Sequence, residues 1–435
     1  MSGLGIGLLG CLSVFVLLAI RVPIGIVLGG VSMVGIALLR GPKAAFSITG
    51  SEAYEFVAHW SLSAIPMFIL MGAITYRAGL AGKIFFAARI WVGHVPGGLA
   101  AATNVAAAMF SSVCGSSLAT SAAIGRIAIP EMLRSRYDPG LATAVVAAAG
   151  TVGSLIPPSI IIIIYGYFAQ QNIGKLLIAV IIPGLLTALA YIVMIVIRCR
   201  ANPALGPAVA VDFSGSERRK AMFDLWPMVL LVVGVVGGIY SGLVTSIEAG
   251  AFGAFLALVI SVAQRTIGAR GIAAAVVETC ETTASILFIA VGAVLFTKFM
   301  ALCGVPAFIS ATIEGMNISD LQLILLTMLV YIVLGAFLDP IGALLLTLPV
   351  FIPIFEARSI DMLWVGILII KFIEIGLLTP PVGFNAFVVK SVAGDSVPIG
   401  TIFRGLGWFL VVEMVVVALL IAFPQLTLFL PTLMG

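Results

Sequence analysis

The sequence predicts an all-α polytopic membrane protein made of two related halves, each holding a re-entrant hairpin and a discontinuous helix. Three observations carry this: the composition, one polar segment near the middle of the chain, and a broken apolar pattern that occurs twice. Apolar residues make up 62% of the chain and charged residues 9%, with a mean hydropathy of +1.26. A soluble domain is roughly half apolar and about a quarter charged. Runs such as IGLLGCLSVFVLLAI, LLIAVIIPGLLTALAYIVMIVI and GWFLVVEMVVVALLIAF are long enough to cross a hydrocarbon core of about 30 Å. The strands of an outer-membrane barrel would read instead as short alternating segments.

The polar segment 198–224, RCRANPALGPAVAVDFSGSERRKAMFD, divides the protein. Before it, in the half 1–197, crossings are expected near 4–20, 22–40, 61–80, 140–170 and 176–197. After it, in the half 225–435, they are expected near 225–245, 247–264, 283–303, 362–392 and 403–430. Each half also has an apolar region, 97–134 and 319–357, long enough for two half-helices with a break between them. Arg198, Arg200, Arg218, Arg219 and Lys220 cluster in the dividing segment. Arg265 and Arg270 follow two crossings later, on the same side. The positive-inside rule makes that side cytoplasmic and the segment a cytoplasmic linker. These charges set topology and give no sign of nucleic-acid binding. The first apolar run has no basic region ahead of it, so it reads as a retained helix and not a cleaved signal.

Other chemistries find no support. The five cysteines lack CxxC spacing and read as small packing residues. His59 and His94 lie far apart without metal-ligand spacing. No GxxxxGK(S/T) loop suggests nucleotide hydrolysis. Neither a Ser–His nor a paired-Asp constellation points to an intramembrane hydrolase, so the chain is not expected to be an enzyme or to carry a cofactor.

The halves share landmarks. GSLIPPSIIIIIYG at 153 resembles GLLTPPVGFNAFVV at 376, an offset of 223 residues, and the Ile-Pro pairs at 129–130 and 352–353 repeat the same offset. Two dipeptides in register in both halves make an internal repeat. With 97–134 as a re-entrant hairpin, each half crosses five times. An odd number inserts the second repeat upside down, an arrangement characteristic of secondary transporters.

Pro157–Pro158 and Pro380–Pro381 remove backbone donors inside apolar runs. Non-helical backbone at membrane depth persists only where protein or a wet cavity surrounds it. There the freed carbonyls become ligands, and half-helix ends attract ions of either sign. The partner breaks lie upstream. FSSVCGSSLATSAAIG, 110–125, gathers Ser111, Ser112, Ser116, Ser117, Thr120 and Ser121 around Gly115. Such a set of neutral oxygens suits sodium; small-residue helix packing is the alternative for the individual hydroxyls, though it does not explain their repeated position ahead of a Pro-Pro pair. Its counterpart is LGAFLDPIGALLLT, 334–347, in which Asp339 stands where the first half has Ser116. An ionisable side chain in an apolar run is functional by default. Asp339 can ligate a cation, carry a proton, or cap the half-helix that begins at Pro340. Lys371 and Glu374 are spaced i, i+3, and a mutual salt bridge is expected. Asn385 offers a carbonyl and an amide to a substrate.

These motifs, in order GSSLATSAAIG with IPEM, GSLIPPSI, FLDP and EIGLLTPPVGFN, resemble the large membrane subunit of tripartite ATP-independent periplasmic (TRAP) transporters over nearly the whole chain. The resemblance implies a sodium-coupled, elevator-type importer in a bacterial inner membrane. It also implies two partners, a small four-helix membrane subunit and a periplasmic binding protein that delivers an organic anion. No four-helix block precedes Leu4 or follows the second half, so the small subunit is expected as a separate polypeptide. By motif, one sodium site falls between Gly115, Ser116 and Ser117 and the loop Ser154, Ile156, Pro157. The second falls between Leu338 and Asp339 and the loop Leu378, Thr379, Pro380. The substrate falls between the tips, near Ser117, Asp339, Gly383 and Asn385. The alternative is a binding-protein-independent carrier of the wider superfamily, such as a cation/proton antiporter. Neighbouring genes for a small four-helix protein and a secreted binding protein would distinguish the two.

Overall fold

A computed structural model describes residues 2–208, 214–315 and 318–433, and within them every regular element is a helix. Among the described residues seven helices are long and apolar enough to cross a bilayer alone. An eighth span arises if Pro42–Val57 and Trp60–Arg77, bent by 54° at their junction, act as one.

Helices Gly3–Ala19, Ile24–Arg40 and Ala64–Arg77 occupy the first expected crossings, but Pro42–Val57 and Leu80–Val92 stand between and after them where none was expected. Lys43, Ser47, Ser51, Glu52 and Glu55 interrupt the apolar run of the first, and Lys83 and Arg89 that of the second. Both are amphipathic, which a search for uniformly apolar runs passes over. The linker is not all loop. Ile181–Ala201 runs into it, and Gly215–Asp224 forms a helix opened by a reciprocal cap between Ser214 and Glu217. The crossing expected at 283–303 is the end of a 35-residue helix, Ala269–Cys303, about 52 Å long at 1.5 Å per residue and longer than a bilayer core is thick. That expected at 403–430 ends at Ala422. Pro424 has no backbone donor to continue it, and a separate short helix follows at Gln425–Thr432.

The two hairpin regions fold back on themselves. Gly98–Cys114 and Ser117–Arg134 form the first hairpin, closed at its base by a bond of 3.1 Å from the Leu99 amide to the Tyr137 hydroxyl. Asp320–Phe337 and Pro340–Ala357 form the second, closed by a bond of 2.6 Å from Arg358 to the Ile318 carbonyl. The Tyr331 and Thr347 hydroxyls meet midway at 2.6 Å.

The broken helices are the innermost elements. Pro139–Thr151 is buried from Gly140 to its end, and Met362–Gly376 from Val365 to its end. ATAVVAAAG is made of small and apolar residues, and VGILIIKFIEIG is apolar on every side apart from Lys371 and Glu374, as an enclosed helix is expected to be. Small residues permit the closest approaches. A Cβ on Gly376 would lie 2.7 Å from the Gly335 Cα, so the second broken helix and the second hairpin cross backbone to backbone. Phe384–Ala393, which resumes the second broken helix, packs on Ser117–Arg134 and Pro139–Thr151 of the first half. The halves therefore interlock at the breaks.

Candidate ion and substrate site

The first hairpin turns at Gly115, whose φ of +68° lies in the left-handed region that favours glycine. Ser116 follows in extended conformation, and its hydroxyl accepts the Ala119 amide at 3.4 Å to start the return helix. The tip rests on the loop after Pro139–Thr151. A Cβ on Gly115 would lie 2.8 Å from the Pro158 carbonyl oxygen, and the Gly115 carbonyl accepts the Ile160 amide at 3.4 Å. Gly184 backs directly against the Leu155 carbonyl and supports the loop from behind. Gly115, Ser116, Ser117, Ser154, Ile156 and Pro157 are thus brought into one region.

The second tip is built the same way with a carboxylate. Leu338 and Asp339 are both extended, and Asp339 Oδ2 accepts the Gly342 amide at 3.0 Å. Ser116 and Asp339, paired by the 223-residue offset, both cap return helices. The loop of Leu378, Thr379 and Pro380 reaches this hairpin through the Gly383 amide, bonded to the Ala336 carbonyl at 3.2 Å. Both Pro-Pro peptide bonds, 157–158 and 380–381, are cis.

A cavity of about 420 Å³ touches both tips. Gly115, Ser116, Ser117 and Ser154 line it from the first, Pro340 and Ile341 from the second. Tyr76, Arg126, Glu278 and Thr282 complete its polar wall. Glu278 is committed to Arg77 at 2.6 Å. Arg126 donates to the Tyr76 hydroxyl at 3.2 Å and pairs with no carboxylate among the described residues. Of the expected substrate residues Ser117 lines this cavity, and Asp339, Gly383 and Asn385 do not. Asn385 is wholly buried, and its amide donates to the Ala147 carbonyl of the first broken helix at 3.3 Å. Among the described residues no three His, Cys, Asp or Glu side chains converge. The tips offer hydroxyl, carbonyl and isolated carboxylate oxygens, a donor set for a hard monovalent ion.

A family model described as the DctM component of tripartite ATP-independent periplasmic transporters matches residues 11–426. The chain belongs to this family. This TRAP large permease is 35% identical to the C4-dicarboxylate TRAP transporter large permease protein DctM of Pseudomonas aeruginosa, over 92% of each chain. It is 33% identical to the sialic acid large permease SiaM of Vibrio cholerae, over 92% of this chain and 95% of that one. To the ectoine/5-hydroxyectoine large permease UehC of Ruegeria pomeroyi it is also 33% identical, over 96% and 97%. In fold it resembles the YdaH transporter of Alcanivorax borkumensis, with a TM-score of 0.60 at 14% identity over 89% of this chain and 90% of that one. The relatives are transporter subunits and not enzymes, as the sequence led one to expect.

The permease departs from expectation at Lys371. Its partner is not Glu374 but Glu413, with Nζ 2.5 Å from Oε2. Nζ also lies 2.9 Å from the Thr187 hydroxyl, and the Tyr191 hydroxyl bonds the other Glu413 oxygen. All four side chains are buried. Spacing on one helix puts Lys371 and Glu374 near each other, but packing against Ile181–Ala201 and Ile399–Ala422 supplies a better geometry from outside the helix. The signal was Glu413 itself, a lone acid in GWFLVVEMVVVALLIAF. Glu374 is the second group that sequence reasoning placed wrongly. The Ser154 and Ser117 hydroxyls of the first tip face its carboxylate.

Proposed function

We propose that this permease imports a carboxylate-bearing organic anion by sodium symport. A periplasmic binding protein delivers the anion, and a small membrane subunit works alongside in the bacterial inner membrane. The observation that carries the reading is that both hairpin tips, each seated on a broken-helix loop, open onto one cavity. One sodium ion would be held by Gly115, Ser116, Ser117, Ser154, Ile156 and Pro157, and another by Leu338, Asp339, Leu378, Thr379 and Pro380. Helix interruptions of this kind present carbonyls to cations and half-helix N-termini to anions.

The substrates named for the relatives, a C4-dicarboxylate, sialic acid and ectoine, all carry a carboxylate. Arg126 supports a substrate of that class, since an arginine without a carboxylate partner on a cavity wall is matched to one. Ser117 stands at the same cavity, with Asp339, Gly383 and Asn385 behind or beside the tips. The Asp339 carboxylate repels an arriving anion until a cation neutralises it. Sodium therefore binds first. The two halves, as inverted repeats, then present the site to either side, with the hairpins and broken helices moving as a body against the outer helices.

The test is uptake into proteoliposomes holding the permease and its small subunit, with loaded binding protein outside. Uptake should require an inward sodium gradient. Undiminished uptake with potassium or choline in place of sodium refutes symport, and uptake driven by a proton gradient alone favours a proton-coupled carrier.

A further inference from the structure

Glu374 stands apart among the buried charged side chains. It is 1% accessible, and neither of its carboxylate oxygens has a hydrogen-bond partner. A buried carboxylate left in this state is one of the least stable arrangements a protein can hold. Lys371, one turn earlier, offsets it only in part, because its Nζ is paired with Glu413 at 2.5 Å and also donates to the Thr187 hydroxyl at 2.9 Å. Tyr191 is likewise spent on Glu413. With both glutamates ionised and Lys371 paired to Glu413, the buried cluster carries one net negative charge, and no salt bridge or hydrogen bond among the described residues reaches the Glu374 carboxylate.

The surroundings of that charge are oxygens. The Ser117 and Ser154 hydroxyls face Glu374, yet neither completes a hydrogen bond with it. Two further buried hydroxyls of the same region, Thr120 and Ser159, also lack partners. Thr120 Oγ1 lies 3.4 Å from where a Cβ on Gly153 would stand, beside Ser154. Ser159 directly follows Pro158, whose carbonyl meets Gly115. Thr120 and Ser159 thus leave unpartnered oxygens in the same tip and loop from which Ser117 and Ser154 face the Glu374 carboxylate.

We propose that the Glu374 carboxylate is a side-chain ligand of the cation held at the first hairpin tip. The inference rests on the sodium reading above and adds a charged ligand to a site otherwise made of hydroxyls and carbonyls. One monovalent cation brings the cluster to neutrality. The ligand set is drawn from both halves, because Glu374 belongs to Met362–Gly376, the helix that runs into the second break, while Ser117 and Ser154 belong to the first half.

The test is the melting temperature of the purified permease with its small subunit, followed against sodium chloride with choline chloride holding ionic strength constant. A ligand that binds only the folded state raises it in proportion to saturation. The wild type should give a sodium-specific rise. In Glu374→Gln the concentration for half of that rise should increase about tenfold or more, the factor that accompanies loss of one charged contact. Glu374→Asp, which keeps the charge on a shorter stem, should fall between. A half-saturating concentration in Glu374→Gln equal to wild type overturns the assignment and leaves the sodium reading standing. If Glu374→Gln does not fold, Glu374→Asp decides, and an unshifted value there overturns the assignment. No sodium-specific rise in the wild type overturns both.

Discussion

Lys371→Met should be among the most destabilising single changes in the chain. The Lys371–Glu413 pair has 1% side-chain exposure on both partners. Removing one member of a buried pair leaves an uncompensated charge and costs about 3–5 kcal/mol. The lost bond to Thr187 adds about 1 kcal/mol. Against this, the Tyr191 hydroxyl still serves Glu413, which holds the total near the lower end. The double variant Lys371→Met, Glu413→Gln removes both charges and keeps an acceptor for Tyr191. It should recover most of the loss, since a buried ion pair replaced by neutral groups of similar size is often near neutral in stability. The assay is thermal unfolding of the detergent-solubilised complex, read by size-exclusion recovery after heating, on wild type, both singles and the double. The order expected is wild type and double close together, with both singles well below. A double no more stable than the worse single refutes the pairing argument, as does a Lys371→Met variant that melts with the wild type.

Three other outcomes follow from the same structure. Gly115→Ala forces a side chain to a φ of +68° and against the Pro158 carbonyl. It costs about 1–2 kcal/mol for the backbone alone, and uptake should fall sharply while Ser111→Ala, on the preceding turn, stays active. Arg126→Gln should raise the KM for the anion by about tenfold to a hundredfold, the scale of about 1.5–3 kcal/mol for a charged hydrogen bond, and leave the sodium-dependent melting shift unchanged; an unaltered KM removes Arg126 from the substrate site. In the linker, bonds from the Ser214 amide and hydroxyl hold the Glu217 carboxyl below its ordinary value of 4.5. Its folded pKa is depressed, so its support for the helix Gly215–Asp224 is full above that ordinary value and is lost as pH falls through the folded pKa. Amide-exchange protection of that helix, corrected for intrinsic rates, should fall at acid pH in wild type and show no such step in Glu217→Gln.

How much of this was legible in the sequence depends on the range of the interaction. The breaks were readable because a Pro-Pro pair, or a capping residue followed by proline, acts on its own backbone, as at Pro157–Pro158, Pro380–Pro381 and Asp339–Pro340, whereas the single prolines Pro130, Pro349 and Pro353 lie inside continuous helices. The caps at Ser116 and Asp339 are local too, and their common offset of 223 residues located one from the other. Amphipathic helices such as Pro42–Val57 were hidden because a membrane segment was sought by uniform apolarity, and a helix against other helices need not have it. The partners of Lys371 and Glu374 were hidden for another reason. Helical spacing names neighbours on one helix, but in an enclosed helix every side is a contact, and the choice between Glu413 and Glu374 belongs to helices far away in sequence.

The same long-range contacts constrain what can move. Asn385 bonds Ala147, Glu374 faces Ser117 and Ser154, and the Tyr165 hydroxyl donates to the Met362 carbonyl at 2.7 Å, each across the division between halves. Tyr165 also fills the space beside Gly366, where no Cβ fits. Sliding one half past the other would break all of these in the driest part of the protein, where an unmet polar group is most costly. In the motion proposed above, the moving body must therefore take both broken helices together, with the hairpin tips seated on them. In that proposed motion the sliding surface would lie outside this block, where the cavity is bordered by Tyr76 and Glu278. Under the sodium reading proposed above, a cation bound inside the block would travel with every one of its ligands, so occupancy would govern whether the block moves without any ligand being exchanged during the movement.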